Sequence, residues 1–423
     1  VYFWLCLCFY GRKAKEARII NSTQIKKFTF MQGFSCWLVL IIIASGCSSK
    51  NTAENMGPER KMSLTLEDSI MVNILEPLVI DDQQLSGEDF LMRGTKSRKP
   101  YLVSKDGKVI KEYEVLNEGP NGVGANGAFG YNFLGPEQWV AQGLFNGYHI
   151  YNLEGEKVKL LDPIHVGIYS MSIHAYQTFF RGLIKGDEKI ILGIEENLFN
   201  PEVLSKENLN QVEYYDSVKI AFTYRTKNQK LQLLETYPEE WIPRKSRRFV
   251  GKSKPLIAYH RSKHLMALLP QMGNQLFIYD YSKAKPVLLH IVVLSHRFRP
   301  EIIPEMDSES KFMSAYPAFT DIRYVGDRVL VEFKTRIPED IVKGLRSKSE
   351  RYYDLPEFKE ALKTFVKPYY LIVEEGNQIG VVEELPVHGT LDFASESGKI
   401  FINDNIEPEV EREYNVFYEL KIE

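Results

Sequence analysis

The chain has 423 residues, with 53 Lys and Arg against 56 Asp and Glu, and 12% of it is aromatic, including 24 Tyr and 24 Phe. A formal net charge of −3 argues against general nucleic-acid binding, which needs a basic surface. The aromatic and β-branched content suits pleated sheet surfaces more than a helical bundle, and the length allows two domains or one large all-β domain.

The first element is an apolar run of eleven residues at 34–44, preceded by Lys26 and Lys27 and followed by Ala44-Ser45-Gly46-Cys47. Such a run matches the h-region of an export signal and is well short of the ~20 residues a spanning helix needs. The stretch "IIIASGCSSK" resembles the bacterial lipoprotein signal, with Ala44 standing where that signal usually has Leu. The resemblance implies that Cys47 is acylated and becomes the mature N-terminus, attaching the chain to a membrane through lipid. Val1 is not an ordinary initiator, and a second apolar run with Cys6 and Cys8 precedes the signal, so residues 1–46 read as signal peptide plus an over-extended start. Removing them takes a net +5 away and leaves the mature 377 residues at −8, with Cys47 as their one cysteine. Disulfide, zinc-thiolate and cysteine-nucleophile chemistry are then excluded. Residues 47–60 are polar and aperiodic, a flexible tether.

From residue 61 onwards one shape recurs. "PYLVSKDGKVIKEYEV" (100–115) alternates apolar residues around Lys105-Asp106-Gly107, a strong hairpin signal. Similar hairpins follow at 148–161, 219–234, 276–293 and 368–385, and a last copy at 414–423 stops after one strand. Two further strands precede each later hairpin, giving four strands per unit of about 60 residues, against ~40–50 in familiar propeller blades. The expected fold is therefore all-β: a six-bladed β-propeller of four-stranded blades over 61–423, with one short helical insertion near 356–367. Two β-sandwiches are the other fold considered. The incomplete last blade needs an outer strand, expected from residues 61–75, which would close the ring.

"EGPNGVG" (118–124) and the C-terminal "KPYYLIVEEGNQIGVVEELP" resemble a large set of Bacteroidota envelope lipoproteins of unassigned function with a predicted six-bladed propeller. The resemblance implies that fold and an envelope location, lipid-anchored to the outer membrane on its periplasmic or exposed face; it brings no catalytic residues. The same loop contains Gly122-x-Gly124-x-x-Gly127, which matches a dinucleotide fingerprint. No helix pattern follows it, so a pyrophosphate would find no helix N-terminus, and the glycines read as a strand crossing. G-x-S-x-G and H-E-x-x-H are absent from the sequence, the expected mature part has no second cysteine to pair with Cys47, and neither cofactor nor metal is expected. His260 and His264 flank a tight turn and read as solvated; His149, His165, His174 and His290 are scattered, with a meeting in the central channel left open.

Long loops supply the candidate site. In a propeller the connections between second and third strands share a face with the crossings between blades. The long segments 197–215, 238–253, 295–315 and 337–366 all fall there, where binding loops usually reside. They carry Trp241, Arg244, Arg247 and Arg248, then Arg297 and Arg299, then Tyr352. Aromatic faces stack on rings and guanidinium forks grip carboxylate or sulfate; ordinary solvation or surface pairing is the alternative for each residue. The expected function is a monomeric, lipid-anchored, non-catalytic binding or scaffold module for an envelope protein or an acidic glycan. The alternative is a polysaccharide hydrolase or lyase whose site lies in the central channel, which would gather His, Asp and Glu at the channel mouth.

Overall fold

Each hairpin read from the sequence occupies the outer half of a four-stranded antiparallel sheet, and six such sheets form the propeller. The computed structural model describes residues 60–423 apart from 87, 126, 171–177, 284, 305–315 and 406–412; Cys47, the signal and almost all of the tether lie outside the described residues. In chain order, β1 (Leu64–Val72) precedes blade 1, made of β2 (Leu78–Gln83), β3 (Phe90–Gly94), β4 (Pro100–Val103) and β5 (Val109–Glu112). Blade 2 contains β6 (Ala128–Phe133), β7 (Gln138–Gly143), β8 (Tyr148–Asn152) and β9 (Lys157–Leu161). Blade 3 contains β10 (Phe180–Lys185), β11 (Glu188–Ile194), β12 (Ala221–Arg225) and β13 (Lys230–Leu234). Blade 4 contains β14 (Leu256–His260), β15 (Leu265–Leu269), β16 (Gln275–Asp280) and β17 (Val287–Val293). Blade 5 contains β18 (Phe319–Val325), β19 (Arg328–Lys334), β20 (Pro368–Glu374) and β21 (Asn377–Val382). Blade 6 is β22 (Thr390–Ala394), β23 (Lys399–Asn403) and β24 (Asn415–Ile422), with β1 as its fourth strand.

The β1 pairing is antiparallel and runs from Leu64 opposite Ile422 to Val72 opposite Asn415, with a register shift between Leu66 and Asp68. Just before it, Met62 N–H donates to the Val381 carbonyl at 2.9 Å and Val381 N–H donates to Arg60 O at 2.9 Å, so the segment also lines the outer strand of blade 5. Outer-strand backbone groups of β24 would otherwise form an open edge.

Turn chemistry follows the sequence closely. Gly107 takes φ +81° and donates to Ser104 O at 2.9 Å in the first hairpin. In the 118–127 loop, a Cβ on Gly122 would lie 1.8 Å from the Asn117 carbonyl, so only glycine fits, and the chain enters β6 with no helix. Blades pack through apolar layers, as where Phe90 of blade 1 meets Phe401 of blade 6 edge-on at 5.3 Å; within blade 2, Trp139 stacks on its cross-strand partner Tyr151 at 4.3 Å. Each fully buried side chain of this kind contributes about 1.5–3 kcal/mol.

The helices are confined to insertions: α1 (Glu213–Ser217), α2 (Ile242–Lys245), α3 (Glu339–Lys348) and α4 (Pro356–Phe365). The expected single helix in the 337–366 insertion is a pair with its own small core around Leu345, Phe358 and Ala361. α3 escaped the sequence reading because its apolar residues, Ile341, Val342 and Leu345, are few and interrupted by Gly344. No helix among the described residues is long and apolar enough to cross a membrane.

Candidate functional site

Two faces of the ring bear on function. On the insertion face, the loops expected to be neighbours do meet, but mainly through buried or paired side chains. Trp241 is fully buried rather than exposed as an anchor. It stacks on Tyr237 at 5.1 Å, meets Tyr215 edge-on at 4.9 Å, and donates from Nε1 to Met272 O at 3.2 Å. The aromatic cluster Tyr215, Tyr237, Trp241 and Phe249 fills the space between the insertions and blade 4, and that is why the indole is drawn inward.

The basic residues around it are occupied too. Arg244 donates from Nε to Asp216 at 2.9 Å and from Nη1 to Glu235 at 3.2 Å, while Arg247 binds Glu213 at 2.7 Å and Asp216 at 2.5 Å. Arg248 donates to Ile303 O at 2.8 Å. Arg299, expected as a surface contact, is buried: its guanidinium lies 3.5 Å from the Phe319 ring centre and donates to Pro317 O, Asn274 and Gly273 O. Burial brings its pKa down to about 10. Arg297 pairs with Glu383 at 2.6 Å and lies over Phe298. Tyr352 belongs to the helical insertion, edge-on to Phe358 at 5.4 Å. The structure thus brings Trp241, Arg248 and Arg299 together as internal pins and joins Arg244 to Arg247 through Asp216. Tyr352 and Arg297 stand apart from them.

At the other face, the short first-to-second-strand turns surround the mouth of the central channel. A cavity of about 90 Å³ opens there, lined from blade 1 by Asp82 and Glu88, from blade 3 by Arg181, from blade 4 by Tyr259 and Arg261, from blade 5 by Arg323 and from blade 6 by Ser395, Glu396 and Ser397. Its charged residues come from the innermost strands and their turns, where the strand sequences LVIDDQ, FRGLIK, FTDIRYV and TLDFA each carry charge inside an apolar run. That interruption was the signal available in the sequence; the loops drew attention away from it.

Arg261 is the crossbar. From blade 4 it reaches across the ring to Asp82 at 2.9 Å and to Gln83 O at 2.8 Å, both in blade 1, while its Nε lies 3.3 Å from Glu396 of blade 6. Glu396 also accepts from the backbone N–H of Arg261 at 2.6 Å and of Ser262 at 3.1 Å. Against the cost of burial, His260 and Arg261 hold its carboxyl down at about 2. Asp82 accepts from Phe133 N–H at 2.9 Å; burial outweighs Arg261 and raises its pKa. Deeper in the wall, Arg93 grips Asp81 through two hydrogen bonds of 2.8 and 3.0 Å, and Arg323 pairs with Asp321 at 2.6 Å. Asp392, accepting from Ile80 N–H at 2.8 Å, is pushed up to about 7 by burial.

His260 is buried rather than solvated, with Nδ1 3.2 Å from Glu396 and Nε2 3.6 Å from Asp327. His264 follows at φ +52°, its Nδ1 3.1 Å from the Tyr259 hydroxyl. His149 and His290 lie on β8 and β17, away from the channel, and His165 packs against Phe145; His174 lies outside the described residues. Among the described residues no group of three or more His, Cys, Asp or Glu is placed to hold a metal ion.

No protein-family model matches the chain, and no curated protein matches it. Solved structures do. A member of the DUF4221 family from Bacteroides vulgatus superposes with TM-score 0.59 at 11% identity, covering 86% of this chain and 99% of the other. A Bacteroides fragilis protein provisionally classed as exported gives 0.47 at 10% identity, covering 87% and 97%. The PQQ-bound aldose sugar dehydrogenase of Streptomyces coelicolor gives 0.42 at 13%, covering 87% and 100%. At such identities the likeness to the first of these carries the fold: the chain is a six-bladed propeller of the architecture seen in that Bacteroides protein, and its activity has to be argued from its own site.

Proposed function

We propose that this is an envelope protein, lipid-anchored through Cys47, that acts as a non-catalytic binding module for an acidic glycan or an envelope protein, and that it engages its ligand at the turn-face mouth of the central channel. The observation that supports this reading is the convergence of charged side chains from five blades on one open cavity. Preformed concave sites with a few convergent polar groups are where ligands bind. The insertion-face residues first expected in that role are spent on internal contacts.

The polysaccharide hydrolase or lyase remains a second reading because a His–carboxylate pair, His260 and Glu396, does sit at the mouth. Its chemistry fits poorly. A general acid or base works best with a pKa near the operating pH, whereas Glu396 is held at about 2. Asp392, at about 7, is turned to the Ile80 N–H.

Two experiments test the proposal. Cys47→Ala should abolish fatty-acid labelling and release the protein from the membrane fraction; unchanged incorporation overturns the anchor. For the site, an array of acidic and neutral glycans is probed with wild type and with Ser397→Trp, which places an indole on the exposed rim of the cavity. Binding lost in the variant supports the channel mouth, equal binding overturns it, and shortened glycan products favour the enzyme.

A further inference from the structure

Arg181 differs from every other arginine lining the cavity. Arg261 is engaged by Asp82, Glu396 and Gln83 O, and Arg323 by Asp321 and Asp392 O. Arg181 spends only Nη1, which donates to the backbone carbonyls of Thr178 at 3.1 Å and Phe180 at 3.0 Å. Its Nε and Nη2 have no acceptor among the described residues, and no carboxylate lies within ion-pair distance. These two nitrogens form one edge of the guanidinium, the edge whose parallel N–H groups match the two oxygens of a carboxylate.

The surroundings add to this. Arg181 lines the cavity, and two hydrogen bonds at Nη1 hold the plane of the group in place. Burying a cation without a contacting carboxylate is costly: burial lowers the Arg181 pKa, Asp82 opposes this without reaching ion-pair distance, and Arg323 and Arg261 add to the lowering. The space of about 90 Å³ compares with ~10–15 Å³ for each water centre, room for several waters or for one small carboxylate. Valence is constrained as well. Asp82 and Glu396 share the cavity, both paired to Arg261, so they would repel a dianion more strongly than a monocarboxylate.

We infer that the cavity is a recognition site for a single carboxylate group, held bidentately on Nε and Nη2 of Arg181, belonging either to a small organic acid or to a uronate residue of a glycan. This rests on the channel-mouth reading above and names its ligand chemistry.

The test uses saturation-transfer NMR and calorimetry on the purified chain with sodium acetate, glucuronate, glucose and inorganic phosphate as probes. Wild type should bind acetate or glucuronate and ignore glucose, with phosphate weaker as it becomes dianionic. Preference for glucuronate over acetate by tenfold or more identifies a uronate; equal binding identifies a small acid. Arg181→Gln should weaken carboxylate binding at least tenfold, and Arg181→Lys, which keeps the charge without the fork, should fall between it and wild type. Both variants should remain folded, with a cooperative melt within a few degrees of wild type, since two hydrogen bonds to Thr178 O and Phe180 O but no ion pair are at stake. Carboxylate binding absent in wild type, or unchanged in Arg181→Gln, overturns the inference. If a glycan still binds wild type, is lost in Ser397→Trp and is indifferent to Arg181→Gln, the channel-mouth reading stands while the carboxylate assignment fails.

Discussion

The insertion face and the channel mouth are both rich in arginine, yet their arginines do opposite things. Arg244, Arg247, Arg248 and Arg299 close their hydrogen bonds inside the molecule, tying loops of blades 3 and 4 into a second small core around Trp241. Arg181 leaves an edge open toward a cavity. Long loops rich in Trp and Arg are therefore not by themselves a binding surface. What separates structure from recognition here is whether each donor already has an acceptor.

The comparison can be broken most severely at the ring itself. Deleting residues 48–75 removes β1, with buried Leu64, Ile70 and Val72. It should cost several kcal/mol, at ~1.5–3 kcal/mol for each such side chain, besides exposing the backbone edge of β24. Deleting 48–58 should leave the thermal melt nearly unchanged; equal melts for the two truncations would show that β1 is dispensable.

Next in size is Trp241→Ala. If the insertion face is a structural element, the substitution should destabilise folding by about 3–5 kcal/mol through the cavity it leaves and leave ligand affinity of the folded fraction unchanged. A stable variant with lost binding would reverse the roles of the two faces.

The channel carboxylates give a pH signature. Glu396 is depressed to about 2, so its contribution is complete above its unfolded value and is lost as pH falls toward 2. A shift of this size is worth on the order of 3 kcal/mol. Asp392 is raised to about 7, so stability present below its unfolded value is lost as pH rises through 7, and Asp82 and Glu332, also raised by burial, act in the same direction. The Asp392 loss begins above its ordinary value of 3.8, where the Glu396 gain is nearly complete, so the melting temperature should peak at about pH 4 and decline towards pH 7. Glu396→Gln should flatten the acid limb and Asp392→Asn the neutral limb; a profile indifferent to both would contradict the electrostatics assigned to the mouth.

The smallest effect belongs to Arg247→Ala. Its guanidinium is half exposed, 51% by side chain, and an exposed pair contributes about 0–1 kcal/mol. Chemical denaturation should barely register it, and binding should not change.

How far this was readable from sequence depends on the interaction. Hairpins announced themselves through local alternation and turn residues, as at Lys105-Asp106-Gly107, and the unpaired last strand pointed to a partner near residues 61–75, where β1 is found. Burial of Trp241 and Arg299 was not legible, because it depends on Tyr215, Met272, Gly273 and Phe319, contacts far away in the chain. The mouth was hidden for the same reason: Asp82, Arg181, Arg261, Arg323 and Glu396 span more than 300 positions and meet only when the ring forms. Their one local trace was charge in the middle of strands that otherwise read as core.

The most direct test of ligand capture at the channel mouth is hydrogen–deuterium exchange with and without bound glucuronate. Capture there should slow exchange in the turns at 84–89, 261–264 and 395–398 and leave the insertions at 197–215 and 238–253 unaffected. Protection confined to those insertions, with the three turns unchanged, would contradict it and return the binding site to the opposite face.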